Sequence, residues 1–377
     1  MASLDNATPF TTLANPFPSG LRQPLGTSRG LASQAGDSIT VYDASRVAPY
    51  NRQWQFGIQR ELPWNSVVEV SYLGSHSIKQ PERFNLNETP DRYLALGNAA
   101  NDKIANSFLS IFPADSVLGT GGTTTRSRLW PRFPQYTSLT LVGANTGSAL
   151  YHSLQASYTK RLSSGLTALA SYTFSRLMDN YTTSIVNPRK YRAVSAYDQK
   201  HVFHLAAVYQ MPFNFNNRLV NGVLGGWSVS GAVQMATGLP LSVTHPNGRP
   251  IRVANPKLNG PVEDRLGDRR NADGSIANPY FNTTAFLAFP TPYVVSPEPP
   301  ALDELRAPGL FSLNGFLFKQ LAIYERLKLE MRLESTGLTN TPNFNAPGTA
   351  MNNRATFGVI NGAGGSRQMQ AALRLVW

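Results

Sequence analysis

The last eleven residues, from Arg367 to Trp377, read Arg-Gln-Met-Gln-Ala-Ala-Leu-Arg-Leu-Val-Trp. Because alternate side chains of a strand point to opposite faces, this segment predicts a strand with one apolar and one mostly polar face. The apolar face would carry Met369, Ala371, Leu373, Leu375 and Trp377. The polar face would carry Gln368, Gln370, Ala372, Arg374 and Val376.

The aromatic residue at the very end of the chain helps to choose between a soluble sheet and a transmembrane barrel. Free chain ends usually fray in solvent, and a soluble sheet gives no special reason for a terminal Trp. In a transmembrane barrel the apolar side chains face lipid and an aromatic residue closes the strand at the membrane interface. The segment therefore favours a barrel, with a soluble half-buried sheet as the alternative.

The composition of the 377 residues excludes several classes. Charged residues make up only 15% of the chain and cysteine is absent, which excludes disulfides and thiolate metal sites. No apolar run approaches the ~18 residues of a helical membrane span. The net charge of +12 comes from scattered Lys and Arg rather than basic patches, so nucleic acid is not an expected partner.

The first residues, Met1-Ala2-Ser3-Leu4-Asp5, lack the basic start and the apolar stretch of a secretory signal. An outer-membrane protein has to cross the inner membrane. We therefore expect this chain to be a fragment or to come from an incompletely assigned gene.

The alternation of the terminal segment recurs along the chain. One clear case is Leu327, Leu329, Met331 and Leu333 against Lys328, Glu330, Arg332 and Glu334. Four charges in strict alternation are costly in a sandwich core and easily accommodated in a wet lumen. Further apolar stripes begin at Trp54, Val68, Leu154, Leu166, Phe203 and Trp227.

The connections between these stripes alternate in length. Short turns are expected at 61–65, 163–165 and 321–325, and long irregular segments at 178–199, 238–309 and 340–366. Short turns at one end and long loops at the other are typical of membrane barrels. We predict an all-β, antiparallel transmembrane β-barrel over 50–377, with 238–309 as a long extracellular loop and 1–49 as an irregular segment.

The number of strands can be estimated because consecutive strands must run in opposite directions across the membrane. Stretches 66–74 and 134–142 are both predicted to run outward, so an inward strand is expected between them, around Arg83-Phe84-Asn85-Leu86-Asn87. This gives about eleven strands. An odd number supports truncation, because complete bacterial barrels of this kind have an even number.

At this point a set of ordered motifs resembles a known family. They are Asn51–Pro63 (NRQWQFGIQRELP), Val70–Ser75 (VSYLGS), Arg132–Tyr136 (RFPQY), Tyr151–Ala156 (YHSLQA), Ser171–Ser175 (SYTFS), Gly226–Gly231 (GWSVSG) and Asn340–Phe344 (NTPNF). Together with the terminal strand they resemble the C-terminal half of the barrel of TonB-dependent receptors of the Oar-like, acidobacterial type.

The resemblance implies a location in the outer membrane of the bacterial cell and a complete barrel of 22 strands. It also implies a plug domain, the TonB energy-coupling complex, outer-membrane lipid and the barrel-assembly machinery as partners. In this family the last strand resembles the assembly signal, here Met369, Leu373, Leu375 and Trp377.

Few residues suggest chemistry. His201 and His204 are three apart on a predicted strand and should face opposite sides, so a metal site is not expected. The carboxylates Asp264, Asp268 and Asp273 lack calcium-loop spacing. Because no nucleophile or paired-carboxylate arrangement emerges either, we expect a protein that is not an enzyme and has no cofactor.

One polar cluster is expected on the luminal side of the last strands. It comprises Lys328, Glu330, Arg332, Glu334, Gln370 and Arg374. These side chains could contact a plug or a permeating solute, but a mutually compensating hydrated ladder is the preferred interpretation.

Three functions follow from these features. The leading one is uptake of a scarce ligand, such as a siderophore, glycan or peptide, by the barrel portion of a TonB-dependent receptor. A structural or adhesive outer-membrane surface protein without active transport is the alternative. A soluble all-β binding protein is a minor third.

Overall fold

The computed structural model describes residues 13–18, 20, 30, 34–112, 118–182, 184, 190–267, 269–274, 276–324 and 327–377. Its main feature is a meander of nine strands, each antiparallel to the next in the chain. The strands are β1 (Tyr50–Leu62), β2 (Ser66–Asn85), β3 (Ser138–Ser163), β4 (Leu166–Thr182), β5 (His201–Gln210), β6 (Trp227–Ala236), β7 (Leu310–Tyr324), β8 (Leu327–Thr336) and β9 (Gln368–Val376).

The register of the meander keeps apolar side chains on one face. Leu321 lies opposite Leu329, which lies opposite Leu375. At the other edge Phe56 lies opposite Tyr72, in the row that continues through Leu154 and Phe174. Directly opposed residues share a face. The sheet therefore has one mainly apolar face and one face rich in Ser, Thr, Gln and charged residues.

Many side chains of the apolar face are exposed rather than packed. Phe56 is 70% exposed, Ile58 64% and Leu373 75%. Contiguous exposed apolar surface of this extent marks contact with something other than water. The strand alternation predicted from the sequence is confirmed.

The connections at the two ends of the sheet differ in length as predicted, except for residues 211–226, which the sequence did not predict as a longer connection. At one end, the turn end, strands are joined by residues 63–65, 164–165, 211–226 and 325–326. At the other, the loop end, they are joined by residues 86–137, 183–200, 237–309 and 337–367. The turn of Ser164 and Gly165 shows why the turn end is compact: both residues have positive φ, 52° and 79°, which matches a tight two-residue hairpin.

The strands that meet at the loop end differ from the prediction. Ser66–Asn85 is one strand and Ser138–Ser163 is another, paired to each other as far as Asn85 opposite Thr140. The predicted separate strand around 83–87 is therefore wrong, as is the outward direction assigned to 134–142. Register shifts between Ser77 and Arg83 interrupt the alternation, which made one long strand resemble two.

The main sheet nevertheless contains eleven strands. The two additional ones are short: Ser38–Tyr42 pairs in parallel with the start of β3, and Lys190–Val194 pairs with the end of β4. The segment 1–49, predicted to be irregular, thus contains a strand within its described residues.

Most of the remaining secondary structure in the described residues lies at the loop end. Two-stranded ladders join Lys103–Ala105 to Thr123–Thr125, Pro240–Leu241 to Leu302–Arg306, Ile251–Arg252 to Phe286–Leu287 and Asn343–Phe344 to Ala363–Gly364. The α-helices are α1 (Arg126–Leu129) and α2 (Arg218–Leu224), of which α2 lies at the turn end. Stretches of 3-10 helix among the described residues include Asp91–Asn101, Glu263–Arg265 and Thr283–Ala285.

The main cluster of buried hydrophobic residues lies at the loop end and not on the exposed apolar face of the sheet. Residues 237–309 and 337–367, here called the loop domain, enclose Phe281, which is 0% exposed. Its ring meets Phe286 and Phe357 edge-on, at centroid distances of 5.9 and 5.2 Å. The other members of the cluster are Leu241, Val243, Ala285, Leu302 and Leu305. The long connection predicted as an irregular loop is a packed unit.

Candidate functional site

A cavity of about 720 Å³ lies where the loop domain meets the ends of β5, β6 and β7. A volume of this size falls in the range of small-ligand sites. Its lining is rich in cationic and aromatic side chains. They include Lys200, His201, Lys257, Arg265, Tyr280 and Arg306.

Arg306 ties this cavity to the sheet. Its guanidinium donates to Asp198 at 2.6 Å and to Asp303 at 2.5 Å, and Arg176 of β4 donates to the other oxygen of Asp303 at 2.5 Å. Asp198 is 0% exposed and also accepts the backbone N–H of Leu177 at 2.6 Å. Two guanidinium groups thus balance two carboxylates, and the network fixes the loop domain to β4.

The charges of this network shift the ionisation of its members. Burial raises the pKa of Asp303, but hydrogen bonds and positive charge from Arg176 and Arg306 outweigh it and hold that pKa below its ordinary value. For Arg306, burial lowers the pKa, while its hydrogen bonds to Asp198 and Asp303 raise it and prevail. Both groups therefore stay charged, as a structural anchor requires.

Arg265 is held differently, by neutral acceptors. Its guanidinium donates to the carbonyl oxygens of Pro261, Leu258, Tyr280 and Gly260 at 2.5–3.3 Å. It also lies 5.5 Å from the centroid of the Tyr280 ring. These contacts fix its position without cancelling its charge.

Tyr280 closes the same wall of the cavity. Its hydroxyl donates to the carbonyl of Arg306 at 2.8 Å. Burial raises the pKa of Tyr280, and the charge of Arg265 offsets part of that rise. The phenol therefore stays protonated and serves as a fixed donor.

The cavity carries excess positive charge. In the described part of the chain no carboxylate lies within salt-bridge distance of Lys200, Lys257 or Arg265. The remaining carboxylate of the lining, Glu304, is paired with Arg252. Three uncompensated cations around a cavity favour a ligand with an anionic group.

This basic cavity was not predicted from the sequence. Lys200, Lys257, Arg265 and Arg306 come from separate segments without a shared motif, and only the packing of the loop domain brings them together. The site could have been predicted only if the packing of residues 238–309 against the ends of the strands had been known.

The predicted luminal cluster lies on the polar face of β8 and β9. Glu330 is opposite Arg374 and Glu334 is opposite Gln370, while Lys328 and Arg332 face Val376 and Ala372. Within β8, Arg332 pairs with Glu330 at 3.2 Å. The register thus places Glu330 beside Arg374, and both the compensating ladder and a contact with a plug or a solute stay predictions.

The residues of the predicted assembly signal lie on the edge strand β9. Met369, Leu373 and Leu375 are 57%, 75% and 49% exposed on the apolar face, and Trp377 is 88% exposed at the turn end. Nothing in the structure tests their role in assembly. Their common face and their exposure are those that a lipid-facing strand requires.

The two histidines on β5 face opposite sides, as predicted. His201 shares the apolar row with Phe174, while His204 lies opposite Ser171 on the polar face. The hydroxyl of Tyr172 is 2.8 Å from Nδ1 of His201, and that of Tyr72 is 2.6 Å from Nδ1 of His152. Each pair joins a Tyr and a His on the apolar face of neighbouring strands.

The residues that the structure describes contain neither a metal-binding group nor a helical membrane span. Among them, no three His, Asp or Glu side chains are placed to hold a metal ion. Of the carboxylates considered above, Asp268 lies outside the described residues. Within the same described ranges, no helix is long and apolar enough to cross a membrane.

The geometry agrees with a family-level match. Residues 2–370 match the family described as outer membrane beta barrel domain. The chain belongs to this family and is an outer-membrane β-barrel protein. The match ends within β9, before Leu373, Leu375 and Trp377. No curated protein sequence matches the chain.

Three solved structures are similar in fold at low sequence identity. The ferripyoverdine receptor of the outer membrane of Pseudomonas aeruginosa is 10% identical, with a TM-score of 0.40 over 86% of this chain and 27% of that one. The FrpB iron transporter from Neisseria meningitidis is 11% identical, with a TM-score of 0.40 over 90% and 32%. The outer membrane transporter YddB from Escherichia coli is 10% identical, with a TM-score of 0.41 over 90% and 34%. This chain spans about a third or less of their lengths.

Proposed function

We propose that this chain forms barrel strands of a TonB-dependent receptor, of the Oar-like type that its motifs resemble, for uptake of a scarce ligand. The observation that carries the proposal is the basic cavity at the loop end, held against a sheet whose other features are those of an outer-membrane barrel. A pure pore needs no such ligand-sized site, whereas a receptor must capture its ligand before moving it.

The cavity also narrows the ligand class. Lys200, Lys257 and Arg265 offer positive charge without a paired carboxylate, and Tyr280 offers an aromatic wall. A carboxylate-bearing iron chelate, an acidic glycan or an acidic peptide would fit this lining. In the proposed receptor the plug, the TonB complex and the barrel-assembly machinery are the partners. The chain has no enzymatic role in this proposal.

Energised uptake in cells tests the transport function. The gene that encodes this chain, with its natural flanking sequence, is deleted and restored in its host, and accumulation of ⁵⁵Fe-citrate and of labelled oligogalacturonate is measured. We expect accumulation of at least one probe to need the gene and to stop with a protonophore. Equal accumulation of both probes in deleted and restored cells would contradict the proposal.

A double variant tests whether uptake depends on the positive charge of the cavity. Replacing Lys200 and Lys257 by Gln should weaken uptake of the acidic probe, because two of the uncompensated charges are lost. The matched control, Lys103→Gln, alters a lysine outside the cavity lining and should leave uptake unchanged. Equal uptake by both variants would remove the cavity from the proposed mechanism.

The packed loop domain favours a second candidate, an adhesive or structural surface protein. A folded unit at the loop end could bind another cell or a matrix without any transport. This function predicts surface binding that persists, with no accumulation, when the proton-motive force is collapsed. The protonophore experiment therefore separates the two candidates.

A further inference from the structure

The connection between β5 and β6, residues 211–226, contains a helix, unlike the other turn-end connections that the structure describes. Helix α2 begins after Asn217, whose side chain accepts the backbone N–H groups of Leu219 and Val220 at 2.9 and 3.3 Å. Such a cap fixes the start of a helix that is too short to be stable alone. The position of α2 must therefore come from what it packs against.

Helix α2 packs on the apolar face of the sheet. The carbonyl oxygen of Val223 accepts from Nε1 of Trp227 at 2.9 Å and from Nζ of Lys319 at 3.0 Å. A side chain added at Gly222 would touch Leu321. Trp227 lies opposite Lys319, and Leu321 shares that face because it is two residues further along β7.

Lys319 is a charge on the lipid-facing side of the sheet. It lies opposite Met331, which lies opposite Leu373. A charge facing lipid is costly unless it is paired or reaches the interface. Here Lys319 is 1% exposed, its ammonium is 5.2 Å from the centroid of the Trp227 ring, and α2 covers it with a carbonyl oxygen. The helix and the ring thus shield the charge from lipid.

The outer side of this segment is apolar and unpacked. Leu219 is 81% exposed, Val223 67% and Leu224 52%, and the preceding Phe213 and Phe215 are 55% and 38% exposed. In residues 211–226 the one charged residue is Arg218. This exposed surface continues the apolar face of the sheet toward the turn end.

We infer that residues 213–224 form a membrane-interface anchor, with α2 lying in the headgroup–acyl boundary of the leaflet at the turn end. Its occupant is phospholipid, because the segment lies on the same face as Met331 and Leu373 and offers no charge pattern for a protein partner. Amphipathic interfacial helices bind in this way, with the apolar side buried in the boundary. The inference rests on the chain being a membrane barrel, not on transport.

The absence of cysteine from the chain allows site-directed labelling. Single variants Leu219→Cys and Val223→Cys carry a nitroxide, and the chain is reconstituted in phosphatidylcholine vesicles. Collision rates with oxygen, which partitions into lipid, and with a water-soluble nickel chelate are measured by electron paramagnetic resonance. The lipid reference is Leu373→Cys, and the water reference is Val253→Cys in the loop domain, which is 58% exposed.

We expect both helix positions to resemble Leu373→Cys, with oxygen collisions several-fold above nickel collisions. Values like those of Val253→Cys, while Leu373→Cys stays lipid-accessible, would overturn the anchor. Low access to both reagents would indicate a protein contact and overturn it as well. If Leu373→Cys itself were water-accessible, the assignment of the apolar face would fail instead.

A second variant tests the role of Lys319. Lys319→Met removes the donor to the Val223 carbonyl while keeping an apolar side chain of similar length. We expect the label at Val223 to become more mobile, and Lys319→Arg, which keeps a donor, to restore its order. Unchanged mobility in Lys319→Met would show that Lys319 does not hold the helix in place.

Discussion

The sheet and the loop domain place their hydrophobic residues in opposite ways. In the sheet, Phe56 and Leu373 are 70% and 75% exposed on a face stabilised by backbone pairing. In the loop domain, Phe281 and Ala285 are 0% exposed inside a packed core. The loop domain therefore buries its apolar side chains, as a domain in water does. The sheet exposes them, as a sheet that faces lipid does.

The difference teaches that the two regions respond to different changes. A substitution that truncates a side chain in the core of the loop domain should unfold that domain without affecting the strands, because the sheet does not share its core. A charge on the apolar face should damage the sheet and leave the loop domain folded. The predictions below test this independence, beginning with the largest expected effect.

The largest effect is expected at the centre of the loop core. Phe281→Ala should destabilise the loop domain by about 3–5 kcal/mol, the usual cost of truncating a buried Phe. Hydrogen exchange of residues 237–309 in detergent micelles measures the loss. The control Leu287→Ala, at a 58% exposed position nearby, should change exchange little. Simultaneous loss of protection in β3 and β4 would show that sheet and loop domain unfold as one unit.

The next effect is expected on the apolar face of β8. Leu333→Arg, in the middle of the strand, should cost about 2–4 kcal/mol, while Leu329→Arg, closer to the turn end, should cost about 0–1 kcal/mol. The luminal Lys328→Gln should cost little, since it stays in water. Urea titration of the chain refolded in lipid vesicles gives the three values. Similar costs for Leu333→Arg and Lys328→Gln would refute the assignment of the faces.

Removal of Trp377 should act on assembly rather than on the loop domain. Trp settles at the membrane interface, and this residue ends the strand proposed as the assembly signal. In cells we expect less folded, heat-modifiable barrel in the outer membrane and more degradation product. Deletion of Ala2, near the other end of the chain, serves as a control for the loss of one residue. An unchanged outer-membrane yield would count against the signal.

The smallest effect concerns pH and the attachment of the loop domain. Because the pKa of Asp303 in the folded chain lies below its ordinary value of about 3.8, its stabilising contribution is complete above that value and is lost as pH falls through the folded pKa. Exchange of residues 237–309 should therefore rise below about pH 4. In Asp303→Asn this part of the pH dependence should disappear. An identical pH profile in that variant would assign the acid sensitivity to another group.

The sheet was predictable from the sequence because alternation is local. The stripe from Leu327 to Leu333 and the terminal strand each show which side chains share a face, and the structure places them so. The end of β2 was not predictable, because the register shifts after Ser77, with Lys79 at a φ of 58°, break the period of two. A prediction based on strict alternation of side chains cannot detect a β-bulge.

The loop-end cavity was not predictable for a different reason. Phe281 and Phe357 meet in the core although 237–309 and 337–367 are separated by two strands of the sheet. Their contact depends on the fold of both connections, and no short-range pattern encodes it. The same holds for Arg306 and Asp198, whose ion pair joins two connections of the loop end.

The pairing of Gly74 with Trp54 on the apolar face carries an evolutionary consequence. A Cβ at position 74 would lie 2.1 Å from the indole ring of Trp54, which rests over the glycine of the neighbouring strand. Neither residue can change freely while the other stays. Related chains should therefore vary at these two positions together, with a large side chain at one accompanied by a small one at the other.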